Sequence, residues 1–205
     1  MQRGEVRVGG QGLVQRGDRL AGAGGTQPGQ DHPAAVVDRR VPPAQRPGLL
    51  EYGELLESAG RLPDARPQYR LLGEQLRLSA AQGSTDDVTA ALLAADHGDP
   101  AEAVRLAQAE WSRRQSIFSA EALAWALHAA DRDAEALPLI EQARALGRRD
   151  ATVDYRRGMI LARLGPARAG EAIAALDEAL ATNPHFSPLH APVARRTLET
   201  LRGAR

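Results

Sequence analysis

Four turn-like segments recur along the chain at nearly constant distance, and this recurrence limits the fold more than any other feature. They are GRLPDA (60–65), GDPAEA (98–103), DRDAEA (131–136) and GPARAGEA (165–172). Their leading residues, Gly60, Gly98, Asp131 and Gly165, stand 38, 33 and 34 residues apart. Seven residues before each lies a small residue: Gly53, Ala91, Ala124 or Gly158. Four before each lies Leu56, Ala94, Leu127 or Leu161, and each turn runs into an alanine, Ala65, Ala103, Ala136 or Ala172. Between the turns the sequence keeps an Ala/Leu-rich helical spacing. A period of this length marks a repeat architecture. The small residue of each first helix and the alanine of each second helix let the two backbones approach. The leucines, with Tyr69, Ile140 and Leu176 on the second helices, fill the layer between neighbouring pairs. One such hairpin cannot bury its apolar face alone, so the hairpins stack into a superhelix.

The spacing predicts units at about 47–82, 83–115, 116–150 and 151–186, followed by a capping helix over about 188–201. In that last helix Leu189, Val193, Leu198 and Leu201 face the preceding unit, while Arg195, Arg196 and Glu199 face water. Asp99, and either Asp131 or Asp133, are suited to capping second helices. Asn183-Pro184 closes the last full pair. The first unit runs long, so its second helix is expected from about 62 to 80. Pro67 and Pro138 fall inside second helices, where each removes a backbone hydrogen bond and bends the helix.

Residues 1–46 differ sharply, with patches such as GGQG (9–12), GAGG (22–25) and VPPAQRP (41–47) and no sustained periodicity. Such a segment cannot bury enough apolar surface to offset its conformational entropy, which predicts a disordered leader. It carries seven Arg against four acidic residues. An unselected or mis-started leader is the main account of it, and a basic arm that touches nucleic acid is the other.

The small–x–x–Leu–x–x–x–Gly–x4–Ala spacing resembles the tetratricopeptide repeat. The stretches ADHGDPAEAVRLAQ (95–108), FSAEALAWALHAADR (118–132) and NPHFSPLHAPVARRTL (183–198) make residues 51–201 similar to the C-terminal part of actinobacterial tetratricopeptide proteins. The resemblance implies an all-α solenoid of about four helix-turn-helix pairs with a C-terminal capping helix. It implies a scaffold that holds a protein or peptide, with no catalytic residues and no cofactor to carry over.

Side-chain chemistry agrees with that expectation. Arginine supplies all 26 basic residues, lysine being absent, and 26 acidic residues balance them, so no nucleic-acid partner or anionic membrane is favoured by net charge. Without cysteine there is no disulfide, thiolate catalysis or cysteine-based zinc site. No apolar run approaches the ~18 residues of a membrane span, and no secretory signal opens the sequence, so a cytoplasmic location is the default expectation. The five histidines, His32, His97, His128, His185 and His190, form no HxxxH or HExxH pair. His97 reads as part of a polar turn, and His185 and His190 as capping or packing residues. Ser187 with His190 lacks the strand–turn–helix elbow of a nucleophile. No phosphate-binding glycine loop is present, since GAGG neither follows a strand nor opens a helix.

The candidate site is therefore a surface. First helices line the inner side of a curved stack, which places Glu54, Glu57, Leu92, Asp96, Glu121, Trp125, His128, Tyr155, Met159 and Arg163 inward. The expected partner-binding groove is centred on Trp125, Tyr155 and Met159, with Glu121, His128, Leu92 and Arg163 around them; packing between repeats is the other account of Trp125. Trp111 reads as inter-repeat packing. The chaperone-docking relatives implied by the resemblance grip a terminal carboxylate with Lys and Asn. This chain has no Lys, and its one Asn, Asn183, lies in a turn. Acidic and apolar groove residues instead suit a basic or amphipathic helix. An alternative expectation is a piece of a longer solenoid whose open first unit leaves Leu50, Leu55 and Leu56 partly exposed and promotes self-association.

Overall fold

The computed structural model describes residues 46–145, 147 and 149–203. The leader expected over 1–46 lies outside the described residues except for Arg46, which opens the first helix. Among the described residues the fold is all-α. Four antiparallel pairs follow one another: α1 (Arg46–Ser58) with α2 (Leu62–Ala81), α3 (Asp87–His97) with α4 (Pro100–Arg113), α5 (Ile117–Ala129) with α6 (Asp133–Arg144), and α7 (Ala151–Arg163) with α8 (Ala169–Thr182). A single helix, α9 (His190–Gly203), packs on α7 and α8.

The helix starts follow from side-chain acceptors that satisfy the free N–H groups of the first turn. Asp86 accepts from Thr89 at α3, Asp99 from Ala101 at α4, and Asp150 from Thr152 and Val153 at α7. Ser116 and Ser119 bond each other's backbone N–H reciprocally at the start of α5. The cap expected at α6 is different. Asp131 occupies the turn itself at φ 58°, a left-handed position that glycine fills at Gly60 and Gly165, and Arg132 precedes the helix without a side-chain cap. Asp133 is buried inside the first turn of α6 and bonds His128 instead.

Close approach within pairs depends on the missing side chains. A Cβ on Gly53 would stand 2.4 Å from Tyr69 Cε1, and one on Gly158 would stand 2.6 Å from Leu176 Cγ. Ala65, Ala91, Ala103, Ala124, Ala136 and Ala172 have no exposed surface at all. Around these contacts Leu72, Ile140, Ile160, Leu161 and Leu176 are fully buried. Each burial of this kind contributes roughly 1.5–3 kcal/mol. α5 is covered on every side, with an unbroken buried run from Ser119 to His128. A helix that is apolar nearly all round belongs at the centre of a structure.

The first pair is joined differently from the rest. α3 and α4 both pack on α5, and α6 packs on α7, whereas α2 meets α3 over a short stretch and α1 is held almost wholly by α2. α2 has 20 residues against 14 in α4, 12 in α6 and 14 in α8, which accounts for the long first unit. A cleft runs along α2 from Pro63 to Ala80, between it and the α3–α4 pair. Leu55 is exposed and Leu50 half-buried, but Leu56, expected to be partly exposed, is 5 % exposed because it packs with Ala65 and Tyr69. Pro67 and Pro138 lie inside α2 and α6.

Candidate interaction face

Helical spacing of three and four residues brings one row of side chains from each first helix to a common face. From α1 come Glu54 and Glu57, from α3 Leu92, Asp96 and His97, from α5 Glu121, Trp125 and His128. From α7 come Tyr155, Arg156 and Met159, and from α9 His190. Rings connect these helices in series. His97 stacks on Tyr69 of α2 with centroids 3.7 Å apart, and His190 stacks on Tyr155 at 5.1 Å. Trp125 stacks on His128 at 4.7 Å and meets Tyr155 at 5.8 Å, while Phe186 lies tilted against Tyr155 at 5.3 Å. Offset and tilted pairs of this kind add about 0.5–1.5 kcal/mol each beyond their buried area.

Polar groups fix the rings. The indole Nε1–H of Trp125 donates to Asp96 Oδ1 at 2.8 Å, and His190 Nε2 stands 3.6 Å from the same oxygen. The Tyr69 hydroxyl donates to Glu57 Oε2 at 2.9 Å, and His97 Nδ1 is 3.6 Å from it. The Arg156 guanidinium lies over the Trp125 ring at 5.3 Å and donates to Glu121 Oε1. Stacking of this sort strengthens where water is excluded, and Arg156 is 6 % exposed. At the turn end of the row, Arg163 donates to Asp131, and its Nη2 approaches His128 Nε2 at 3.1 Å. Arginine can only donate, so His128 Nε2 carries the lone pair and its Nδ1–H donates to Asp133. That imidazole is neutral, and burial pushes its pKa down accordingly.

Burial also pushes the His97 and His190 pKa values down, against the pull of Asp96 and Glu57. The Glu54 carboxyl is pushed up to about 7, first by burial and then by Asp96 and Glu51, with Arg156 acting the other way. Its negative charge is thus held in a place that disfavours it.

The residues expected in the groove fall into three states. Trp125, Tyr155, Glu121 and His128 are buried, at 6, 2, 8 and 4 % exposure. Leu92 and Met159 are half-buried, packed beside Trp125 and Tyr155, and Arg163 is exposed at the rim. Trp111 packs against the central core formed by α3 to α7. The sequence reading missed Tyr69, His97, Arg156, Phe186 and His190 as members of this network. His97 and His190 read as turn and capping residues because nothing local reveals that α9 reaches α3. Among the described residues no group of three or more His, Cys, Asp or Glu is placed to hold a metal ion. None of their helices is long and apolar enough to cross a membrane.

No protein-family model matches the chain, and no curated protein does. Among solved structures it is similar to TTC0263, a thermophilic TPR protein of Thermus thermophilus, with a TM-score of 0.56 and 19 % identity, covering 78 % of this chain and 82 % of that one. It is also similar to MamA AMB-1 at a TM-score of 0.47 and 16 % identity, covering 78 % and 82 %. The first likeness shows the fold: stacked helix-turn-helix pairs of tetratricopeptide type.

Proposed function

We propose that this protein is a non-catalytic scaffold that holds a basic or amphipathic helical segment of another protein against the inner row of its first helices. The observation that carries this reading is the unneutralised acidic end of that row. Glu54 lies among Glu51, Glu57 and Asp96, and its carboxyl is held near 7. A cation delivered by a partner would stabilise the ionised carboxylate there. Leu92 and Met159 supply adjoining apolar surface. Trp125 and Tyr155 act from beneath, fixing the bed on which the segment rests.

The test is fluorescence anisotropy with a fluorescein-labelled amphipathic peptide of Lys and Leu against the full chain. Binding in the micromolar range is expected, weakened at least ~10-fold by Glu51→Arg with Glu54→Arg. Affinity should also rise between about pH 6 and pH 8 as Glu54 ionises. His97 and His190, with pKa values pushed below the ordinary histidine value, contribute little over that interval. Binding indifferent to both the charge reversal and pH would defeat this assignment.

A second reading rests on the outer side of α1. Tyr52 and Leu55 are 50 and 57 % exposed there, which favours self-association through this helix. Sedimentation that stays monomeric at high concentration, with Tyr52→Ser and Leu55→Ser making no difference, would refute it.

A further inference from the structure

The cleft along α2 has a volume of about 880 Å³, within the range of sites that enclose a small molecule. α2 forms one wall, and α3 and α4 form the other. Leu76, Leu93 and Leu106 supply apolar surface, and the small residues Gly73, Ala90 and Ala94 keep bulk out of the space between the walls. A Cβ on Gly73 would meet only Arg77 Nη2 at 3.6 Å and Leu93 Cδ2 at 3.8 Å, so a side chain added there has room to enter the cleft.

The charges on the lining cancel. Asp86, Asp87, Asp99 and Glu102 supply four carboxylates. Arg66, Arg70, Arg77 and Arg105 supply four guanidiniums. Asp86 and Asp99 cap α3 and α4, Asp87 accepts from Arg113, and Glu102 accepts from Arg105 with Arg77 adding to its field. An ion entering here gives up its hydration and gains nothing from net charge, whereas an apolar molecule gains by leaving water.

One polar group of the lining is left over. The His97 side chain, 8 % exposed, belongs both to the inner row and to this cleft, and its Nε2 has no hydrogen-bond partner. Its Nδ1 stands 3.6 Å from Glu57 Oε2, which can only accept, so the proton sits on Nδ1 and the lone pair on Nε2. Burial pushes the imidazole pKa down, which keeps that lone pair free at neutral pH. The Tyr69 ring, stacked on the imidazole at 3.7 Å, fixes its plane. A buried acceptor without a donor is destabilising, and a donor brought by an occupant relieves it.

We propose that this cleft is a binding site for one uncharged, largely apolar small molecule that carries a single hydrogen-bond donor. Its body lies between Leu76, Leu93 and Leu106, and its N–H or O–H donates to His97 Nε2. That nitrogen is closed to water, so the donor reaches it as lining side chains change rotamer around the occupant.

The experiment titrates the full chain with N-phenyl-1-naphthylamine, an uncharged aromatic amine with one N–H whose fluorescence rises on leaving water. Saturable micromolar binding of one molecule per chain is expected, and the N-methyl derivative, which lacks the donor, should bind at least ~10-fold more weakly. Gly73→Trp should abolish binding by filling the cleft, and Ala90→Trp tests the same point from the opposite wall in case Gly73→Trp alters the circular dichroism. His97→Phe keeps a ring against Tyr69 and should erase the difference between the two amines. Arg66→Gln with Arg70→Gln should change the affinity by less than ~2-fold, since charge does not select the occupant. The assignment is wrong if the amine does not saturate, if it binds the filled cleft as it binds wild type, if both amines bind wild type alike, or if the arginine pair proves necessary. Glu51→Arg with Glu54→Arg should leave this binding intact, which separates its failure from failure of the inner row.

Discussion

Three glycines in the middle of helices should respond to alanine with opposite signs. At Gly158 the added methyl would stand 2.6 Å from Leu176 Cγ, 2.7 Å from its Cδ2 and 3.3 Å from its backbone nitrogen. Leu176 is fully buried, so neither it nor the α8 backbone has room to yield. Gly158→Ala should cost about 1–3 kcal/mol despite its better helix propensity. Gly53 faces Tyr69 in the same manner, with that ring pinned by Glu57 and His97. Gly73 meets only ordinary contacts, 3.6 Å to Arg77 Nη2 and 3.8 Å to Leu93 Cδ2, so Gly73→Ala should stabilise by up to about 1 kcal/mol. Urea denaturation of the Gly158 and Gly73 variants side by side reads both signs. Glu54 makes a pH-dependent case. Its folded pKa of about 7 lies above the ordinary value of 4.5, so the folded state binds the proton more tightly. The associated stability is fully present below pH 4.5, falls as pH rises and is gone above about 7. Glu54→Gln imitates the protonated side chain. It should match wild type near pH 4 and exceed it near pH 8 by about 1 kcal/mol, solvent screening of a part-exposed group limiting the gain.

The helices differ in how much of their placement local sequence dictates. α5 is held to α7 by Arg156, which lies over Trp125 and donates to Glu121 across the interface. Arg156→Ala would strip a guanidinium from a carboxylate that is 8 % exposed, at a cost of about 3 kcal/mol or more. Arg156→Met with Glu121→Gln should recover much of that loss, a comparison that thermal melts of the single and double variants would make. The hairpins themselves were legible because their signals are short-range. Gly60, Asp131 and Gly165 mark turns at positive φ, and Gly53, Gly158 and the paired alanines mark backbone approach. The α6 start was misread because Asp131 serves as the left-handed turn residue, a role aspartate tolerates, and so cannot also cap the helix. Packing of Trp125 was legible only as one of two accounts, and burial of Tyr155 was not legible. It depends on Phe186 and His190 arriving from beyond the last full pair, and periodicity records which face a residue occupies without recording what later covers that face.

At the scale of the molecule, stability is uneven. The first pair meets the remainder mainly through α2 and α3, with the Tyr69–His97 stack at that joint. Opening there exposes little compared with opening around α5, so amide hydrogens of α1 and α2 should exchange faster than those of α5 and α7 by about two orders of magnitude or more. Hydrogen exchange with mass spectrometry would read this directly, and uniform protection across all four pairs would contradict it. The other end behaves differently, because Asp96 accepts from Trp125 and also stands 3.6 Å from His190. Linear arrays of helical pairs communicate only between immediate neighbours, so either terminus can fray without disturbing the middle. Here one carboxylate of the second pair is the meeting point for the third pair and for the helix after the fourth. Damage at the carboxyl terminus would therefore be sensed six helices upstream, and the middle of the array behaves as a clasped loop.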